Sequence, residues 1–537
     1  MNYEAMRNFA RLVVYIGGLI TVGCTLIFVF PSRLLANVPA ARDPGVQHTD
    51  VTNSASCPNS TKPPFDPAPI EKLSAAKLLL FCAGLKEFRK ADTYADDGLG
   101  PTMNLDSCMG CHAYPTTGGS SPPHTVGNPQ LLFLRLNPTS KNVAPSFITA
   151  DGPVREARFI RTPSNTPDGG VHAIFTVAGL PGAEKCKLAQ PDFQKEQRKK
   201  NVIFRIPTPL FGTGLIEQIE DREIRQNLGK NSAVQYGADY GLKSFSIKKG
   251  HLNSFKEGHV AAFRESVTRS KSTRKNTGEI NSSDNDGTIA RFGWKAQNKS
   301  LLVFAGEAYN VEMGISNELF ETERNETSEC QSSNKQVPND TTDPDKLACA
   351  IIKSNEPKSM DCDDTDPKKV LAARYDAYSD IEKFAAFMRY LAPPRPSSEV
   401  PGGAVSIGHG REIFKSIGCA NCHTPELHTS THSAGGPQPV RLFSDLALHD
   451  MGSRLADGVT QGRAGPRDFR SAPLWGLSGR EFLLHDGRAT NLIDAINSHY
   501  SKGIPEKGGS EANDVVRLFK SLAPDRQQDL LNFLRSL

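Results

Sequence analysis

Cys108-Met109-Gly110-Cys111-His112 and Cys419-Ala420-Asn421-Cys422-His423 repeat one pattern, C-x-x-C-H, at two places in a chain of 537 residues. Two thiols three positions apart on a helical turn can each form a thioether with one vinyl group of a haem, and the histidine that follows then lies beneath the iron. C-x-x-C alone would also suit zinc or a dithiol redox pair, but an immediate histidine in both copies favours haem. The pattern predicts two covalently bound c-type haems, with His112 and His423 as the proximal metal ligands.

Helices must present these motifs. Ile70 to Ala91 has apolar residues at helical spacing and leads towards the first motif, and the run GHGREIFKSIGCANCH from 408 is an amphipathic helix entering the second. DIEKFAAFMRYL (380–391) is helical in pattern, and Leu530, Leu531, Phe533, Leu534 and Leu537 form the apolar stripe of a terminal helix able to close over a haem. Between about 120 and 290, short mixed segments alternate with turns and predict β-rich and irregular structure; 321–368 is a polar insertion, and the Pro-rich run before 403 marks a boundary near 400. The expected fold is mainly α, with two cytochrome c-like haem domains, the first enlarged by insertions, after an N-terminal transmembrane helix. The expected division is 1–30 membrane anchor or signal, 31–70 flexible linker, 71–400 N-terminal haem domain and 401–537 C-terminal haem domain.

The anchor rests on residues 12–30, nineteen without a charge, which as a helix approach the roughly 30 Å of a bilayer core. Arg7 and Arg11 before it place the remainder on the periplasmic side of the inner membrane, released there if the segment is a cleaved signal. The formal charge of +4 is too small and too evenly spread for a nucleic-acid footprint, and 38% hydrophobic residues exclude wholesale disorder. Beyond Cys24 and the four motif cysteines, six remain: Cys57, Cys82, Cys186, Cys330, Cys349 and Cys362. In an exported chain these suit up to three disulfides, with at least one local bridge expected among the last three.

The chain resembles the dihaem cytochrome c peroxidase and MauG superfamily, most closely its dihaem oxidoreductase branch. The resemblance is carried by PTPLFGTGLIEQIED (207–221), ARFGWKA (290–296), VEMGIS (311–316), FSDLALHDMG (443–452) and SAPLWGLSGREFLLHDGRATNLIDAINSHY (471–500), and runs from about 75 to 537. It implies a distal ligand of the second haem fourteen residues after the histidine of HDG, the step from His485 to His499. The superfamily has Met or Tyr there; a second imidazole lowers a haem potential, because Met/His ligation raises it. Met451 is the alternative ligand. The resemblance further implies Glu312 as acid/base beside the first iron and Trp294 as an aromatic relay between the haems, the alternative for Trp294 being a packing role. Leu302 stands where the peroxidases often have Gln. Trp475 reads as core, His485 and Arg488 as groups for the haem propionates, and His124 as a turn residue or a resting cap on the first iron. The implied activity is reduction of hydrogen peroxide or another small oxidant at the first haem, with electrons from a small redox protein entering through the second. The alternatives are an electron carrier without peroxidase activity and MauG-like oxidation of a partner protein.

Overall fold

The computed structural model describes residues 39–47, 57, 67–229, 233–234, 245–246, 289–322, 328–330, 337–343, 375, 377–430, 437–504 and 507–537. The helices that matter to the site are α1 (Ala75–Arg89), α2 (Cys108–Cys111), α3 (Leu301–Met313), α4 (Asp380–Tyr390), α5 (Gly403–Ser416), α6 (Leu492–Ser498), α7 (Asn513–Ser521) and α8 (Pro524–Ser536). The strands are β1 (Thr102–Met103), β2 (Glu156–Phe159), β3 (Val171–His172), β4 (Phe175–Thr176), β5 (Val202–Arg205), β6 (Leu448–Asp450) and β7 (Asp468–Arg470).

Ser74 starts α1 by accepting the Lys77 amide, and Phe81, Leu85 and Phe88 recur on its buried face. α4 begins at a capping box of Ser379 and Glu382 and crosses α1 at Gly84, where a Cβ would lie 2.2 Å from the Lys383 carbonyl oxygen. Phe387 packs on Phe81 and Phe88 at centroid distances of 5.4 and 4.9 Å. In the C-terminal part α5 and α8 make the corresponding crossing. Gly410 lies so close to the Asp529 carbonyl that a Cβ would come within 2.0 Å, and Phe414 meets Phe533 at 5.4 Å. Two apolar clusters result. One holds Phe81, Phe88, Phe175 and Phe384 but also Leu427, Leu442 and Trp475 from beyond residue 400; the other joins Ile413, Leu492, Phe519 and Leu531.

Sheet is present throughout. β3, β2 and β5 form an antiparallel sheet in that order, while β1 pairs with β4 and β6 with β7. The expectation of a mainly α fold behind a transmembrane helix is therefore corrected: the described residues mix helix and sheet. Strands of two to four residues are too short for a period-two pattern to register in the sequence. Among the described residues no helix is long and apolar enough to cross a membrane. The segment 12–30 lies outside the described residues, as do Cys24, Cys349, Cys362 and much of 321–368.

Two disulfides join Cys57 to Cys82 and Cys186 to Cys330. Cys330 thus pairs with a cysteine 144 residues away, and of the three cysteines among which a local bridge is expected the other two, Cys349 and Cys362, lie outside the described residues. Part of the stretch expected to be a linker is docked: Asp43 takes the Nε and Nη2 of buried Arg535 in a two-point ion pair, each contact 2.8 Å, and the Gln47 amide donates to the Ser478 carbonyl. Burial opposes ionisation of Asp43, but Arg535 and two backbone amides hold its carboxyl below the usual range. Stability from this pair is present above the ordinary carboxylate pKa and is lost as pH falls through the depressed one. Asp43→Asn leaves the buried Arg535 guanidinium without its counter-charge, and a loss of about 3–5 kcal/mol is expected by denaturant titration; a change within error would show that the pair contributes nothing.

Candidate active site

α2 is the four-residue turn that carries the first motif. Ser107 caps it by accepting the Gly110 amide at 3.2 Å, and the His112 amide closes it on the Cys108 carbonyl at 3.0 Å. His112 donates Nδ1–H to the Gly119 carbonyl at 3.1 Å, which leaves Nε2 as the nitrogen to coordinate. Gly119 can approach so closely only because it lacks a Cβ, which would lie 1.8 Å from the Tyr114 carbonyl oxygen. Cys108, Cys111 and His112 line a cavity with about 1240 Å³ of space, its open mouth included. The same cavity is lined by Glu312 and Tyr309 of α3, Asn104, and Arg155, Glu156 and Arg158 around β2.

Glu312 is half-buried and receives Asn104 Nδ2–H at 2.5 Å. Burial, and then the neighbouring Glu156 carboxyl, push its pKa well above the usual range. A carboxyl with a raised pKa in the cavity that His112 lines suits proton transfer.

The second motif lies on a single helical turn, Cys419–Asn421, after α5. His423 donates Nδ1–H to the Phe443 carbonyl at 3.1 Å, as His112 does to Gly119. Phe443 itself has a left-handed φ of 54°, a costly conformation for a bulky residue that recurs where local backbone geometry serves a site. Cys419, Cys422 and His423 line a second cavity, of about 1590 Å³ with its mouth, closed by α6, α7 and α8. His499, the C-cap of α6, lines it too, its Nδ1–H donated to the Ala495 carbonyl at 2.7 Å. Met451 lines the same cavity, its amide donating to the Arg467 carbonyl. Burial holds His112 and His423 at about 4 and also lowers His499, so all three imidazoles are in the neutral form that coordinates metals.

Trp294 lines both cavities, together with Ile206 and Pro207. Its Nε1–H donates to the Ile206 carbonyl at 2.9 Å, the Ile206 amide donates to the His485 carbonyl at 2.8 Å, and the Arg470 amide donates to the Trp294 carbonyl. A hydrogen-bonded wall thus separates the two spaces. His485 faces the C-terminal cavity, stacked on Phe469 at 4.3 Å. Arg488 is not brought to either cavity; it is held by Asp486 at 2.5 Å and by the Arg454 carbonyl. His124 is exposed and paired with Glu481, Leu302 packs against the larger apolar cluster, and Trp475 is buried beside Gly212.

Sequence reasoning missed the arginines. Arg155 and Arg205 line the N-terminal cavity, and the Nε–H of each is buried without a hydrogen-bond partner among the described residues. In the C-terminal cavity Arg470 and Arg480 donate to the carbonyls of Gly293, Ser471, Pro473, Trp475 and Gly476, and burial lowers the pKa of each to about 10. Leaving a buried N–H unpaired costs about 1–3 kcal/mol, and a propionate is the acceptor that would answer it. None of the four motif cysteines is in a disulfide. Free paired thiols, anchored imidazoles and apolar walls fit haem at both places, and the orphaned N–H groups of Arg155 and Arg205 add to the fit at the N-terminal one.

Residues 389–537, rather more than a quarter of the chain, match a family model described as "Di-haem oxidoreductase, putative peroxidase". The match agrees with the resemblance read from the sequence. No curated protein matches the chain. Among solved structures, hydrazine synthase of Kuenenia stuttgartiensis, pressurised with 20 bar xenon, aligns with a TM-score of 0.20 and 19% identity over 35% of this chain. The chain spans 60% of that protein's length. A MauG-like protein associated with microbial copper homeostasis aligns with a TM-score of 0.24 and 14% identity, over 56% of this chain and 95% of that one.

Proposed function

We propose that the protein is a dihaem c-type oxidoreductase that reduces hydrogen peroxide at the N-terminal site with electrons delivered through the C-terminal one. The observation that carries this reading is the partition of groups: a carboxyl with a raised pKa, Glu312, shares a cavity with His112, a second imidazole, His499, shares the other with His423, and Trp294 stands in the wall of both. When bound, the two haems supply the electrons and the capacity to break the oxygen–oxygen bond. Cys108 and Cys111, and Cys419 and Cys422, hold them by thioether bonds. Glu312 Oε accepts a proton from one peroxide oxygen and returns it to the departing one, while Asn104 fixes the carboxyl's orientation. His499, anchored through Nδ1 as His423 is, would hold the C-terminal iron together with His423 and suit that centre to carrying electrons. A small redox protein is the electron donor. The two disulfides suit an oxidising compartment such as the periplasm.

A spectroscopic redox titration of the purified haem protein, with and without peroxide, tests the reading. One high-spin, ligand-accessible haem and one low-spin haem are expected at rest or at half reduction. Two low-spin haems in every redox state would make the protein an electron carrier.

A further inference from the structure

Residues two apart on a strand share a face. On β2 this brings Glu156 and Arg158 to the N-terminal cavity, while Ala157 between them is wholly buried in the core. Arg158 Nε–H binds Glu156 Oε1 at 2.6 Å, and its Nη1–H donates to the Gly169 carbonyl at 2.8 Å. Facing this pair, α3 presents Glu312, held by Asn104. Glu156 and Glu312 line the same cavity with their carboxyls within interacting range of each other. Two ionised carboxylates only accept and repel, so a proton between them would turn this approach into a hydrogen bond.

We propose that Glu156 is the positioning residue of Glu312: the two form a carboxyl pair carrying one shared proton, with Arg158 fixed on the ionised half and Asn104 orienting the other. This rests on the reading of Glu312 as the acid/base of peroxide reduction. The pair then serves both functions of Glu312, since the shared proton can move onto Glu156 as Glu312 accepts the peroxide proton and move back as Glu312 gives a proton to the leaving oxygen. The surrounding charges are consistent with a single negative charge on the pair. Arg205 of β5 stands opposite Glu156, Glu307 lies earlier on α3 and is bonded by Asn298, and Cys111 and Asp106 come from the motif side. Burial and the like charge raise Glu312, whereas Arg158 holds Glu156 below the usual carboxylate range in spite of burial. Such a pair titrates as a unit, giving a bell-shaped pH profile whose alkaline limb is the loss of the shared proton.

Infrared spectra of the full haem-loaded chain at mildly alkaline pH give a readout independent of turnover. Asp92 and Asp340, each raised to about 7 chiefly by burial, form a background common to all variants, so the wild-type-minus-variant difference is the quantity read. Glu312→Gln and Glu156→Gln should each remove the same carboxylic-acid carbonyl band. Arg158→Gln removes the cation that keeps Glu156 ionised and should strengthen the band. In peroxide kinetics Glu156→Gln should abolish the alkaline limb of the kcat/KM profile, whereas a merely structural role would lower the rate at unchanged shape. A band that survives Glu156→Gln, or one unaltered in Arg158→Gln, overturns the pairing. If the bands behave as expected but the wild type does not turn over peroxide, the pairing stands and the peroxidase reading fails.

Discussion

Glu312→Gln is expected to lower peroxide turnover by about 10²–10⁴-fold while both haems stay attached. Glutamine keeps the length and the oxygen that Asn104 bonds but removes the group that can exchange a proton. No packing change is required, because Glu312 sits at the cavity surface and not within an apolar cluster. The measurement is initial peroxide consumption per haem, with haem content from the pyridine haemochrome. Turnover within a factor of about two of wild type, with two haems per chain, would take Glu312 out of the mechanism.

The second large effect is expected at the other centre. His499→Ala should convert one haem per chain from low to high spin, since it removes an imidazole that the Ala495 carbonyl holds in place and leaves the anchor of His423 untouched. Met451 lines the same space, so the paired variant Met451→Leu decides between them. If His499 is the ligand, Met451→Leu leaves the low-spin spectrum intact. Conversion by Met451→Leu and not by His499→Ala would assign the thioether instead, with the higher potential that Met/His ligation brings.

What was legible in the sequence was local. The two C-x-x-C-H runs, the helices around Phe81 to Phe88 and Phe384 to Phe387, and the closing stripe of α8 each carry their signal within a dozen residues. What was not legible depends on partners far away in the chain. The short strands are defined by pairings such as Glu156 with Arg205, and nothing in four residues of sequence announces them. Arg470 looks like an ordinary charged residue until its fork is found among the carbonyls of Gly293 and Ser471. Glu156 gave no sign of its role, because its partner Glu312 lies at the other end of the first half. Asp43 was lost in a Pro- and Ser-rich run, and only the buried fork of Arg535, 492 residues later, explains why its segment is ordered.

The Ile206 peptide has a consequence for how the two halves can vary. Because its amide is taken by the His485 carbonyl and its carbonyl by the Trp294 indole, the partition is held by one main-chain bond that no side-chain replacement removes and by one bond that depends on Trp294 alone. Either pocket can be reshaped, in ligand set or in access, while Trp294 and the Ile206 peptide keep their places between them. Under the proposed function, the rate of internal transfer would then be sensitive to replacement of Trp294 and insulated from drift in the chemistry on both sides of it.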